Sequence, residues 1–154
     1  MTPELRARLR HSIAGHEGLV LRVYDDATGR VIQPGDTVRG WATIGYGRNL
    51  VGRGITQAEA DQLLDNDLGE NERELIVRVP WIVNLDPARQ LVLLEMSYNL
   101  GAGNLLRGWP TFLGHVAAQR YDQAAALMLG SKWAGQVKSR ALHLARLMQT
   151  GAFA

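Results

Sequence analysis

Apolar residues recur at helical spacing from the start of the chain, at Leu5, Leu9 and Ile13, with His16 completing the stripe. Thr2, Pro3 and Glu4 ahead of them supply an N-cap, a proline at the first helical position and an acid in the first turn. Gly18 offers a left-handed cap at the other end, so the pattern predicts a helix over 3–17. The period then changes. Leu19, Leu21 and Val23 alternate with Val20, Arg22 and Tyr24 as in a strand, and Asp25 to Gly29 is a turn by composition. Two further short strands are predicted, at Arg30–Gln33 and Trp41–Ile44, joined by the turn signal Pro34-Gly35-Asp36.

The clearest helix start is Thr56 with Glu59 three residues on, a capping box. Ala60, Leu63, Leu64, Leu68, Leu75 and Val79 continue it until Pro80, and a helix over 56–79 would span roughly 34 Å, enough to join two lobes. Gly69 within it costs about 1 kcal/mol relative to alanine and would mark a bend. Asp86 and Pro87 restart a helix that Gly101 ends. Leu91, Val92, Leu93, Leu94, Met96 and Leu100 surround it with apolar surface and predict a buried central helix, with Tyr98 as a core tyrosine. Shorter helices are expected at Thr111–Gln119, Tyr121–Leu129 and Ser139–Gln149, with Trp109, Phe112 and Trp133 in the core. The fold class is α+β: mostly helical, with a small β lobe at 19–55, a connecting helix at 56–79, and a helical lobe at 80–154 packed with helix 3–17.

Composition narrows the function. With 154 residues and 46% hydrophobic side chains, the chain can bury a real core. A net charge of +2, from 17 basic and 15 acidic side chains, is too small to argue for nucleic acid without a clustered basic face. There is no cysteine, which excludes disulfides and thiol chemistry. Arg6, Arg8 and Arg10 interrupt the first helix, so it reads as neither signal peptide nor membrane anchor. His11, His16, His115 and His143 lack the spacing of a metal site, and Gly45-Tyr46-Gly47 lacks the lysine and spacing of a phosphate loop.

Two carboxylates stand out. The negative end of a helix and apolar neighbours both favour a protonated carboxyl, the form a general acid needs, and Glu17 occupies such a position. An exposed last-turn glutamate without a special role has the same local sequence. Asp26, nine residues later in a polar turn, is placed to stay ionised, the complement of such an acid, although aspartate is also an ordinary turn residue.

Glu17-Gly18-Leu19, then Tyr24-Asp25-Asp26, then Thr43-Ile44-Gly45-Tyr46-Gly47 resemble the active-site region of the T-even phage type lysozymes, glycoside hydrolase family 24, which are phage endolysins. The likeness continues through Ile55–Ala60, Met96–Gly101 and Ser131–Arg140, covering nearly the whole chain. It implies a single two-lobe lysozyme domain that cleaves the β-1,4 bond between N-acetylmuramic acid and N-acetylglucosamine in peptidoglycan, with inversion. By the same resemblance Glu17 is the general acid, Asp26 the second carboxylate and Thr43 the hydroxyl that holds the attacking water. Asn99, Lys132 and Gln136 contact saccharide, and Arg140 pairs with and orients Glu17. The resemblance further implies no cofactor or metal, no stable membrane contact, and a monomer made in the host cytoplasm that reaches the periplasm once a holin opens the membrane. A lytic transglycosylase and a non-catalytic wall-binding module are the rival readings.

This sequence departs from that family in two places. Arg48 stands where many members carry histidine, and an arginine there would pair with Asp26 or a nearby acid. The stretch between Asp26 and Thr43 is longer than in the T-even enzyme and reads as a lengthened hairpin or loop.

Overall fold

The computed structural model describes residues 1–153. The chain is 67% helical with one small antiparallel sheet near its start, the α+β class expected. It divides into two compact units, Met1–Asp61 and Gln62–Ala154.

The first unit opens with α1 (Pro3–Glu17), whose cap is the one its sequence announces: Thr2 Oγ1 accepts from the Leu5 N–H at 3.2 Å. Gly18 ends it with φ 71° and ψ 165°, positive φ as foreseen but an extended ψ in place of a left-handed helical turn. Glycine alone takes such a conformation without strain, and it turns the chain directly into a strand. Four strands follow: β1 (Val20–Asp25), β2 (Arg30–Val31), β3 (Ala42–Gly45) and β4 (Arg48–Asn49). Their order is β2-β1-β3-β4 and every pairing is antiparallel.

That order corrects one expectation. β2 and β3 do not form a hairpin with each other; they flank β1 on opposite edges, so the chain between them must cross from one side of the sheet to the other. The Pro34-Gly35 signal does make a turn, closed by Asp36 N–H donating to the Gln33 carbonyl at 3.0 Å with Gly35 at φ 91°. It is a corner within the crossing loop. A short helix, α2 (Leu50–Arg53), capped by Asn49, follows β4; neither was foreseen.

The helix α3 (Gln57–Arg78) begins in the first unit and continues into the second. Its capping box is reciprocal: Glu59 N–H donates to Thr56 Oγ1 at 3.3 Å and Thr56 N–H to Glu59 Oε2 at 2.8 Å. Gly69 does not interrupt it.

In the second unit a 3₁₀ turn (Pro80–Asn84) leads to α4 (Pro87–Leu100), capped by Asp86, and then to five further helices. These are α5 (Ala102–Gly108), α6 (Pro110–Ala117), α7 (Tyr121–Leu129), α8 (Lys132–Val137) and α9 (Ser139–Thr150). α5 and α8 are too short to show a period and were not foreseen. α4 is central as expected, contributing Val92, Leu93 and Met96 to a core completed by Leu75, Phe112, Met128 and Leu144. Trp109 stacks edge-on against Phe112 and Trp133, with centroids 5.6 and 5.8 Å away. Tyr98 departs from expectation: it is 43% exposed, on the wall of a surface cavity that Leu91 and Leu94 also line. One polar link lies inside the apolar mass, where fully buried Ser97 donates to Asn71 Oδ1 at 2.7 Å and Asn71 Nδ2 to the Leu94 carbonyl at 3.0 Å.

Among the described residues every buried apolar side chain lies between Leu75 and Met148. In the first unit the only buried side chains are polar, Asp25 and Thr43. No helix of the described residues is long and apolar enough to cross a membrane.

Candidate active site

Successive residues of a strand face opposite ways, so the adjacent pair Asp25 and Asp26 cannot share an environment. Asp25, the last residue of β1, is buried. Its Oδ1 accepts from the N–H groups of Ala27 at 3.0 Å and Gly40 at 2.9 Å, and its Oδ2 from that of Arg39 at 2.8 Å. The Arg39 N–H foremost, with those of Gly40 and Ala27, holds this carboxyl below the usual aspartate range against the opposing effect of burial. This aspartate was not singled out in the sequence, yet it is the anchor of the long loop. The residues between Asp26 and Thr43 fold back onto it through the Arg39 and Gly40 N–H groups. The doubled aspartate at a strand end was the available signal, since one of the two had to face inward.

Asp26 is the outward member of the pair. It is exposed, at the tip of the β1–β2 hairpin, and it is gripped by Trp41: its Oδ1 accepts from the Trp41 N–H at 2.7 Å, and its own N–H donates to the Trp41 carbonyl at 3.2 Å. This approach depends on Gly40, because a Cβ there would sit 2.1 Å from Asp26 Oδ1 and 2.8 Å from Ala27. Thr43 lies on β3 opposite Tyr24, buried, and its hydroxyl donates to the same Trp41 carbonyl at 3.1 Å. Asp26 and Thr43 are therefore brought together on one residue. The Thr43 hydroxyl has spent its proton on Trp41, so toward a further partner it can only accept.

Glu17 closes α1 and is exposed; the shielding anticipated from its neighbours is missing, with Leu19 and Leu21 themselves 53% and 77% exposed. Its carboxylate lies against the turn after β3, since a Cβ on Gly47 would be 3.5 Å from Glu17 Oε2. Of the two partners foreseen for Arg48, the structure shows the nearby acid. Arg48 reaches Glu59 Oε1 at 2.5 Å and Oε2 at 2.9 Å, and its Nε donates to the Gly54 carbonyl at 2.7 Å. Glu59 thus serves both the helix cap and the arginine. Its carboxyl is held below the ordinary range, first by the Thr56 N–H and hydroxyl and then by Arg48.

The remaining candidates belong to the second unit. Asn99 Oδ1 accepts from the Trp133 indole N–H at 2.9 Å, so this exposed asparagine satisfies a core tryptophan and keeps its amide N–H groups for other partners. Lys132 and Gln136 are exposed, one turn apart on α8. Lys132 borders a cavity of about 470 Å³ whose wall includes Trp109, Thr111 and Ser131. Arg140, expected from the resemblance to orient Glu17, donates from Nε to Glu95 Oε1 at 2.5 Å. Glu95 sits one turn before Asn99 on α4, and nothing in its local sequence distinguishes it as an ion-pair partner. Among the described residues no three histidine, aspartate or glutamate side chains assemble into a metal set.

Compared with known protein families, the chain matches the one described as phage lysozyme over residues 14–148, a span that takes in Glu17, Asp26, Thr43 and Arg140.

Proposed function

The chain belongs to the phage lysozyme family, and from that premise we propose that it is an endolysin that hydrolyses the β-1,4 bond between N-acetylmuramic acid and N-acetylglucosamine. The observation that carries this reading is the meeting of Asp26 and Thr43 on the main chain of Trp41, in the unit that also presents Glu17 beside Gly47.

In this scheme the Glu17 carboxyl gives its proton to the glycosidic oxygen as the C1–O bond breaks. The Asp26 carboxylate meets the positive charge developing at the sugar ring. A water hydrogen-bonded to Asp26 and to the free lone pair of Thr43 attacks C1 from the opposite face and passes its proton to Asp26, so the anomeric configuration inverts. That route needs the two carboxyl groups about 6.5–9.5 Å apart, with room for the water. Asn99, through its amide N–H groups, and Lys132 and Gln136 supply hydrogen bonds to the glycan. Nothing in acid-catalysed glycoside cleavage calls for a cofactor. The protein works as a monomer on the wall once a holin has opened the inner membrane.

Turbidity clearing of outer-membrane-stripped cells by wild type, Glu17→Gln and Asp26→Asn, with product analysis, tests the scheme. Both variants should lose lysis, by about 10²-fold or more, while keeping their far-ultraviolet circular dichroism. Clearing by either variant at the wild-type rate removes the site assignment. Products ending in anhydro-muramic acid would show that a sugar hydroxyl had replaced water and make the enzyme a transglycosylase.

A further inference from the structure

Of the four tryptophans, three serve the second unit: Trp133 is buried, and Trp81 and Trp109 pack against its core. Trp41 is different. It is 54% exposed, in a unit with no buried apolar side chain for it to join. Its structural duty, to hold Asp26 and Thr43, is discharged by its N–H and carbonyl alone. Any residue with a backbone N–H could provide those bonds, so nothing in the fold asks for an indole at this position. A side chain this large left in water forgoes a substantial burial energy in the free protein.

We propose that the Trp41 indole is a saccharide platform, on which the apolar C–H face of a pyranose ring rests beside the Asp26 carboxylate. This rests on the glycosidase reading above and adds to it a binding residue that the sequence did not suggest. Three bonds fix the main chain of residue 41, so the Cα from which the indole projects is held in place beside Asp26 and Thr43, and a sugar resting on the ring has only the side-chain torsions left to order. A pyranose has one face of axial C–H groups and an equatorial rim of hydroxyls. An exposed aromatic face suits the former while the neighbouring polar groups serve the latter. The platform is neutral, so its contribution should be insensitive to salt, unlike that of Lys132.

The test uses the whole protein and a glycan-strand tetrasaccharide of alternating N-acetylglucosamine and N-acetylmuramic acid without peptide. Because Trp41 is the exposed tryptophan, iodide should quench chiefly its fluorescence. Saturating tetrasaccharide should remove about half or more of that quenching, and this should hold also in the inactive Glu17→Gln protein. Trp41→Ala should raise KM by about tenfold with kcat changed by less than about threefold, whereas Trp41→Phe should restore KM to within about threefold of wild type. Since the bonds at residue 41 are main-chain bonds, both variants should melt near wild type. Unchanged quenching at saturation, or an unchanged KM in Trp41→Ala, overturns the platform. Should the wild type yield no muramyl products, the glycosidase reading falls, and the quenching of the bound Glu17→Gln protein still decides whether sugar sits on Trp41.

Discussion

Asp26 and Trp41 hold each other by two hydrogen bonds, the Trp41 N–H to the Asp26 carboxylate and the Asp26 N–H to the Trp41 carbonyl. The pair extends the β1–β3 ladder past its last strand residues and fixes a carboxylate at the tip of the β1–β2 hairpin. What lets the two approach so closely is the missing side chain at position 40.

Gly40→Ala should therefore strike at both fold and chemistry. The added methyl would overlap Asp26 Oδ1 at 2.1 Å, which could yield only by giving up its bond from the Trp41 N–H, and would crowd the Ala27 Cβ and main-chain nitrogen at 2.8 Å, which cannot swing away. We expect a loss of about 1–3 kcal/mol in urea denaturation. We also expect a larger fall in wall lysis than the residual folded fraction accounts for. A variant with wild-type stability and lysis would mean that the hairpin relaxes freely.

Asp25 makes stability depend on acid. Its folded-state value lies below the ordinary 3.8, so between the two values the unfolded chain binds the proton more readily and stability rises with pH. The contribution is complete above the ordinary value and disappears as pH falls through the lowered one. Melting temperature followed from pH 6 downward should drop steeply below about pH 4 in the wild type. It should drop less in Asp25→Asn, which begins lower at pH 6 because an amide offers one acceptor oxygen where the carboxylate offers two. Parallel curves for the two proteins would remove Asp25 from the acid response.

Ser97 tests the polar link in the core. Ser97→Ala leaves Asn71 Oδ1 without its donor in a largely dry place, and urea denaturation should show a loss of about 1–3 kcal/mol. Replacing both partners, as Asn71→Leu with Ser97→Ala, should cost less than the two single losses added together.

Gly69→Ala should go the other way. Gly69 lies inside α3, and a Cβ there meets only the mobile Arg73 Nη1 at 3.4 Å, so the usual glycine penalty is recoverable. The expected gain is about 0.5–1 kcal/mol, or roughly 1–4 °C in melting temperature. A loss would show that the helix does bend at this residue.

What the sequence disclosed was whatever is written locally. Thr2 with Pro3, Thr56 with Glu59 and Asp86 with Pro87 each carry a cap and its helix within four residues, and all three helices begin where those signals stand. The strand order was not legible, because β2 and β3 are parted by bonds from Asp25 to residues 14 and 15 positions away. Alternation within a strand says nothing of which neighbour it takes. Arg140 finds Glu95 from 45 residues away, and Asn99 finds Trp133 from 34. At the site, the likeness to lysozymes pointed to Asp26 and Thr43, but it was silent about Trp41, the residue through which they meet.

Among the described residues, the confinement of buried apolar side chains to Leu75–Met148, with only Asp25 and Thr43 shielded in the first unit, sets an uneven distribution of resistance to opening. Amide deuterium exchange should be slowest along α4, α6, α7 and α9, while amides of β1 to β4 exchange through local openings that never reach the helical core. A protease offered the native protein should make its first cuts in the crossing loop around Gly35 or near Gly54. The residues that would do the chemistry thus reside where this protein is most easily rearranged.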